Sequence, residues 1–141
     1  MKIPKEHFTR GMRNNNPFNI VYSKFNSWKG KLSPSAGENK FERFLTLDYG
    51  LRAGFLLIRN GYIQKGYRTV EEILNRFAPK SENDVHSYLM YVCDGPLHPD
   101  TEVSVGSLTF YWLCQKICMY ESKYDLSYEK FREIVVKFNL W

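Results

Sequence analysis

Residues 49–67 read YGLRAGFLLIRNGYIQKGY, and this stretch sets the fold class. Leu51, Phe55, Ile58 and Tyr62 recur in it every three or four residues. Apolar side chains at that spacing lie on one face of a helix, so the stretch predicts an amphipathic helix of about four turns. The sequence on either side decides whether this helix packs among other helices or against a sheet.

Four more apolar stripes with helical spacing follow it. They are Val70, Ile73, Leu74 and Phe77; Val85, Tyr88, Leu89 and Val92; Phe110, Leu113, Cys114 and Ile117; and Phe131, Ile134, Val135 and Phe138. Start signals precede three of them. Thr69 and Glu72 form a capping box, Ser81 with Asp84 makes a second cap, and Ser127 precedes the last stripe. The sequence therefore predicts five helices.

The first forty residues lack helical periodicity. FNIVY at 18–22 and WKGKL at 28–32 are typical of short strands joined by turns, while residues 93–106 form a loop too polar for a buried element. A small β region before five helices predicts a mostly α, α+β domain, a class that includes the lysozyme-like architecture. We expect a single domain over 1–141, with a β and loop region at 1–45 and a helical region at 48–141.

Composition bounds the function only loosely. The chain has 141 residues, 43% of them hydrophobic, so one core can form without disulfides or a metal. The net charge of +5 suits a polyanion such as nucleic acid, an anionic membrane face or a bacterial cell wall, but it also suits a merely soluble basic domain. The lysines and arginines are dispersed, so a nucleic-acid partner is not expected.

The three cysteines are predicted to be free thiols. Cys93, Cys114 and Cys118 are odd in number, and the last two continue an apolar helical pattern without partners at metal-ligand spacing. Neither a signal peptide nor a membrane-spanning segment stands out in the sequence. We therefore expect a monomer that is made in a reducing cytoplasm and needs no cofactor.

Two carboxylates continue apolar helical stripes, where a surface helix would place no acid. Glu121 lies four residues beyond Ile117, and Glu82 lies three residues before Val85. A carboxyl group in a partly apolar pocket stays protonated to higher pH, as a general acid requires. The alternatives stay open: Glu121 could lie in solvent at a frayed helix end, and Glu82 could simply complement a helix dipole.

Aromatic residues of the first fifty positions also have two interpretations. Tyr22, Trp28, Phe41, Phe44 and Tyr49 could stack on sugar rings in a groove, or they could form core. Trp28, in a turn-rich stretch, is the one most expected to be exposed. Phosphate-loop, HExxH and CxxC motifs do not occur in the sequence, and nothing positive supports a Cys/His nucleophile.

Four blocks together resemble a known family. RGMRNNNPFNI at 10–20, WKG at 28–30, FERFLTLDYGLRA at 41–53 and RFAPKSENDVHSYLMYV at 76–92 are similar to small peptidoglycan hydrolases and virion-associated structural proteins of phages and prophages. The resemblance implies catalytic residues at Glu121 and Glu82, with Glu38 or Glu42 as less favoured second carboxylates. The candidate substrate-binding residues are Asn16, Asn19, Trp28, Arg52, Asn83 and Tyr88.

The chain departs from the family pattern at Phe18, where glycine is usual and where a side chain could narrow the groove. Its blocks are also similar to those of lysozyme-like bacterial glucosaminidases, whose catalytic glutamate lies on a helix before the first strand. Here the matching phrase, CMYESKY at 118–124, comes near the C-terminus. We therefore expect a circularly permuted arrangement, in which the Glu121 helix takes the place of that N-terminal helix.

This resemblance implies a glycosidase or lytic transglycosylase that cleaves peptidoglycan, with Glu121 as general acid. A non-catalytic virion protein that binds glycan or another protein remains the alternative, and other virion proteins are then possible partners. Without an export signal, such a protein would reach the wall after lysis, through a holin or in a particle.

Overall fold

A computed structural model of the chain describes residues 8–34, 40–78 and 84–141. Within these ranges the chain forms six α-helices and one two-stranded antiparallel sheet. The elements are α1 (Arg10–Arg13), β1 (Lys31–Leu32), β2 (Arg43–Phe44), α2 (Leu47–Leu56), α3 (Val70–Phe77), α4 (Val85–Val92), α5 (Leu108–Ser122) and α6 (Tyr128–Lys137). The predicted mostly α, α+β class is confirmed.

The helix predicted over residues 49–67 is α2 and its continuation. Thr46 caps α2 by accepting a hydrogen bond from the backbone N–H of Tyr49. Beyond Leu56 the helix widens into a π-helical segment, Leu57–Tyr62, and then tightens into a 3₁₀ turn, Ile63–Lys65. The apolar spacing predicted the helix but not this change of helical type, which is rare and often accompanies a functional site.

Two of the predicted helix starts are confirmed and one is corrected. Thr69 and Glu72 form a complete capping box before α3, and Ser127 caps α6. Before α4 the cap is Asp84 itself, whose carboxylate accepts from the backbone N–H of Ser87. Asp84 was expected three residues inside a helix that starts at Ser81, and Ser81 lies outside the described residues.

The predicted β region is smaller than expected. Lys31 pairs with Phe44 and Leu32 with Arg43. The strand expected over 18–22 is reduced to a single bridge between Val21 and Phe41. A one-turn helix, α1, precedes it and was not predicted, because four residues are too few to show a period.

Helix α5 contributes five fully buried residues to one hydrophobic core. They are Phe110, Leu113, Cys114, Ile117 and Cys118. Helices α2, α3, α4 and α6 add apolar residues of their own stripes to the same core. The five longer helices and Phe44 of β2 thus share one hydrophobic core.

Residues 93–106 form a loop, as expected. Two of its apolar residues, Leu97 and Val103, nevertheless enter the core. Single apolar residues can point inward from an irregular loop whose average composition is polar.

Phe18 does not narrow a groove, contrary to the expectation. Its ring is fully buried and packs edge to face against Phe55 and Phe77, with centroid distances of 6.0 and 6.5 Å. Gly54 on α2 makes room for it, since a Cβ there would lie 2.1 Å from the ring. The core thus accommodates the bulky side chain at this position.

Among the described helices, none has the length and apolar character needed to span a membrane.

Candidate functional site

Residues 14–20, the asparagine-rich segment after α1, form a surface that we call the platform. The buried asparagine of this platform has a structural role. Asn16 is fully buried. Its amide nitrogen donates to the backbone oxygens of Ile20 and Glu42, both at 3.0 Å, and its side-chain oxygen accepts from the Ile20 N–H at 2.9 Å. The geometry therefore gives Asn16 the role of fixing the chain turn and leaves its amide no access to a ligand.

Asn19 has the opposite orientation. It adopts a left-handed conformation, with φ of 52°, which asparagine tolerates better than most residues. Its amide nitrogen reaches α5 and donates to Glu121 twice, to the carboxylate Oε1 at 3.0 Å and to the backbone oxygen at 3.1 Å. Two of the predicted site residues, 102 positions apart, are thus brought into contact.

The C-terminal end of α5 is clamped onto the same platform. The Ser122 hydroxyl donates to the Pro17 oxygen at 2.9 Å, and the Thr9 hydroxyl donates to the Ser122 oxygen at 2.8 Å. Gly11 allows this close approach, because a Cβ there would lie 1.8 Å from the Ser122 hydroxyl. Glu121 is therefore held by its helix rather than frayed.

A cleft of about 340 Å³ opens in front of Glu121. Its walls come from the platform, the β region, the π-helical segment, α3 and α5. The lining residues are Arg10, Asn19, Ile20, Val21, Asn26, Lys40, Phe41, Leu57, Tyr62, Arg76, Phe77 and Glu121. Aromatic faces, amides, cations and one carboxylate meet there, which is the mixture that recognises a polar, ring-containing ligand.

Tyr88 closes the inner side of Glu121. Its ring is fully buried and stacks on Tyr120, with centroids 3.8 Å apart. Its hydroxyl lies close enough to Glu121 for the charge and the hydrogen bonding of the carboxylate to act on it. Burial, and then the Glu121 carboxylate, raise the pKa of Tyr88 well above its usual value. This hydroxyl therefore stays protonated and serves as a donor toward the carboxylate.

Cys118, one turn before Glu121 on α5, reports the same low-dielectric surroundings. Burial raises the pKa of this thiol well above its ordinary value, and the nearby Glu121 charge raises it further. The thiols of Cys114 and Cys118 are free and buried, whereas Cys93 is partly exposed. One side of Glu121 therefore faces the buried, low-dielectric interior of the protein, and the other side faces the open cleft.

Other predicted residues lie elsewhere. Trp28 is half-buried in a second, shallower pocket of about 370 Å³, which shares only Asn26 with the Glu121 cleft. Arg52 lies near Phe138, with its Cζ 5.8 Å from the ring centroid, and does not line the cleft. Tyr88 is too deeply buried to contact a ligand directly. Glu82, Asn83 and Glu38 lie outside the described residues.

Glu42, a less favoured second carboxylate, is fully buried away from the cleft. It forms an ion pair of 3.1 Å with Lys31. Sequence reasoning missed the cations of the cleft, Arg10, Lys40 and Arg76. Arg10 and Arg76 stand at the starts of the motif blocks, at 10–20 and 76–92, which is the one signal that could have pointed to them.

Comparison with other proteins places the chain near a phage protein. No family model matches the sequence. A stretch of 91 residues is 36% identical to Protein P5 of Pseudoalteromonas phage PM2, covering 60% of this chain and 54% of P5. The chain spans about half the length of that relative. It is thus similar over most of its residues to part of a phage protein.

Proposed function

We propose that this chain is a phage-type protein that binds glycan strands of bacterial peptidoglycan in the Glu121 cleft and cleaves them with Glu121 as general acid. One observation carries the proposal. The Glu121 carboxylate is fixed at the cleft wall by the Asn19 amide, at 3.0 Å, with the buried Tyr88 behind it. The similarity to a phage protein supports the setting of the proposal, not its chemistry.

The surroundings of Glu121 suit proton transfer to a leaving oxygen. A general acid must point at the substrate, and the Glu121 carboxylate lines the cleft from the last turn of α5. The helix end is clamped through Ser122, so the carboxylate does not have to be ordered when a ligand binds. Preorganisation of this kind lowers the barrier because its entropic cost is already met on folding.

The described part of the cleft favours chemistry with one acid. Glu121 is the one carboxylate among its described lining residues. A lytic transglycosylase can work this way: Glu121 protonates the oxygen of the glycosidic bond, that bond breaks, and a hydroxyl of the same sugar bonds to the anomeric carbon and returns its proton to Glu121. Hydrolysis would require a second carboxylate to activate water, with Glu82 as the candidate.

The second pocket gives a long substrate somewhere to continue. Asn26 lines both the Glu121 cleft and the pocket that contains Trp28 and Tyr22. Indole and phenol rings stack on the apolar faces of sugars, and amides bond to hydroxyl or N-acetyl groups. A strand of several sugars could thus run from Glu121 past Asn26 to Trp28, which keeps a binding role for Trp28 in this proposal.

A lysozyme-like, circularly permuted architecture is part of the same proposal. The contacts of Ser122 and Glu121 with the platform pack the end of α5 directly against the segment that contains the RNNNPFNI motif. A helix near the C-terminal end of the sequence thus lies beside the asparagine-rich segment near its N-terminal end. This arrangement supports the permutation inferred from the order of the motifs.

A non-catalytic phage structural protein is the second candidate function. It is favoured by the cleft's charges, because three cations and one carboxylate among the described lining residues suit binding more evidently than two-acid hydrolysis. In this alternative the groove would hold a glycan or another virion protein without breaking a bond.

The test is digestion of purified peptidoglycan by wild type, Glu121→Gln and Glu129→Gln, with soluble fragments measured over time. Glutamine keeps an acceptor for Asn19 but cannot donate the acidic proton. Glu129 is an exposed glutamate on α6, so its variant is the matched control. We expect release by wild type and Glu129→Gln alone. Sedimentation of a folded but inactive wild type with the wall would support the non-catalytic function, and equal release by all three would exclude Glu121 as the acid.

A further inference from the structure

We infer that the Glu121 cleft selects a carboxylate-bearing glycan over a neutral one, through Arg10, Arg76 and Lys40. The inference rests on the proposed function for its glycan, but it concerns binding rather than cleavage. The proposed chemistry does not specify the charge of the ligand, and this inference assigns the ligand a negative charge.

Each cation reaches the cleft from a different element. Arg10 is the first residue of α1, Lys40 precedes the bridge residue Phe41, and Arg76 lies in the last turn of α3. All three side chains are exposed, and all three line the same cleft as Glu121. The three cations thus reach the same cleft from separate parts of the chain.

Aromatic rings lie against all three of these cations. The Arg10 guanidinium carbon lies 3.8 Å from the centroid of the Phe41 ring, and Lys40 approaches the same ring at 5.5 Å. Arg76 lies 4.3 Å from the Tyr67 ring centroid and donates to the Tyr67 hydroxyl at 2.7 Å. A guanidinium that stacks on a ring keeps its N–H edge available for a ligand.

Cations outnumber carboxylates among the described residues that line the cleft. Arg10, Lys40 and Arg76 line it together with a single carboxylate, that of Glu121. The described part of the cleft therefore carries an excess of positive charge even when Glu121 is ionised.

A carboxylate on the ligand would use this excess. Arginine forms paired hydrogen bonds with a carboxylate, and such charge-assisted bonds are about twice as strong as neutral ones. Peptidoglycan strands carry carboxylates from two sources, the lactyl groups of muramic acid residues that have no stem peptide, and the stem peptides themselves where they are attached. An ionised Glu121 alone would repel either, so the cations allow an acidic strand to approach the acid.

The experiment is calorimetric titration of Glu121→Gln, which we expect to bind saccharides without cleaving them. The probes are a tetrasaccharide of alternating N-acetylglucosamine and muramic acid with free lactyl groups, the same tetrasaccharide with stem peptides, and neutral chitotetraose. We expect one or both acidic probes to bind at least about tenfold more tightly than chitotetraose at low salt, with the difference shrinking as salt rises. Tighter binding of the first acidic probe would assign the lactyl group, and of the second the stem peptide.

Variants locate the effect. Arg10→Gln and Arg76→Gln, each in the Glu121→Gln background, should lose most of the preference for acidic probes and keep the affinity for chitotetraose. Arg132→Gln, an exposed arginine on α6 outside the cleft, should retain the preference. Equal affinity for neutral and acidic probes, or cleft variants that behave like Arg132→Gln, would overturn the inference.

Two further outcomes separate this inference from the proposed function. If an oligonucleotide binds more tightly than every saccharide, with a steep salt dependence, the cations serve nucleic acid and the inference is overturned. If wild type shows the acidic preference but releases no wall fragments, the inference stands and the proposed cleavage fails.

Discussion

Two glutamates contact the same asparagine-rich platform, Glu42 through its backbone and Glu121 through its carboxylate and backbone, and their carboxylates differ in what surrounds them. Glu42 is fully buried, and its charge is met by Lys31 at 3.1 Å. Glu121 is partly exposed, bonds to a neutral amide and faces an open cleft. Burial of an acid is thus not enough to suggest chemistry, since a buried acid with its own cation is a structural group.

The Lys31 ammonium shows what the structural group does. It donates to the backbone oxygens of Ser23 and Asn26 as well as to Glu42, so all three of its N–H bonds are used. These contacts tie the 23–26 turn, which includes the cleft residue Asn26, to the strand of Lys31. Glu42 therefore shapes the site from behind, while Glu121 faces the ligand.

The largest expected effect is on cleavage by Glu121→Gln. Loss of the acidic proton should lower the rate of glycan cleavage about 10²- to 10⁴-fold, the usual contribution of general acid catalysis. The melting temperature should change little, because glutamine can still accept from Asn19. Initial rates of fragment release measure the loss of cleavage, and thermal unfolding measures the melting temperature. A large fall in melting temperature would show that Glu121 has a structural role, as Glu42 does.

Lys31→Met should have the opposite effects, a large loss of stability and a smaller change in the rate of cleavage. It leaves the Glu42 charge buried without its partner, which typically costs about 3 to 5 kcal/mol of unfolding free energy. Denaturant unfolding measures the loss, and the double variant Lys31→Met/Glu42→Leu should recover much of it. A double variant as unstable as the single one would show that the lysine stabilises the turn through its backbone contacts alone.

Gly54→Ala tests the packing of α2 against the buried Phe18 ring, and its expected effect on stability is smaller. The new methyl group would meet the Phe18 ring at 2.1 Å, so we expect a loss of about 1 to 3 kcal/mol from overpacking. Gly66→Ala is an informative contrast, because a Cβ there meets nothing within 4 Å although its φ of 100° disfavours alanine. Chemical denaturation of both variants would separate a steric clash from backbone strain.

Asp48, at the surface, should give the smallest effect and a defined pH dependence. Burial raises its pKa, but the hydrogen bonds and charges of Lys130 and Lys137 outweigh this, so the net pKa is lowered. A lowered folded-state pKa means stability that is present at neutral pH and lost as pH falls below about 4. Solvent screens these pairs, so Asp48→Asn should cost at most about 1 kcal/mol at pH 7. When the free energy of unfolding is measured from pH 3 to 7, it should fall less steeply at acidic pH for Asp48→Asn than for wild type.

Much of the helical architecture was predictable because each stripe follows the period of the helix. Glu121 was found the same way, by stepping four residues on from Ile117. The cations of the cleft were not predictable, since exposed arginines have no period and their meeting depends on how α1 and α3 pack. Asn16 and Asn19 look alike in sequence, but their side chains have different partners. The Asn16 amide donates to buried backbone oxygens, whereas Asn19, in a left-handed conformation, donates to Glu121.

The most direct test of the central claim is mass spectrometry of the soluble products from purified peptidoglycan treated with wild type, Glu121→Gln and the matched Glu129→Gln. We expect muropeptides from wild type and Glu129→Gln only, with anhydro ends if one acid performs the reaction and reducing ends if a second carboxylate activates water. Identical products from Glu121→Gln, or none from folded wild type, would contradict the assignment of Glu121 as the acid of a glycan-cleaving site.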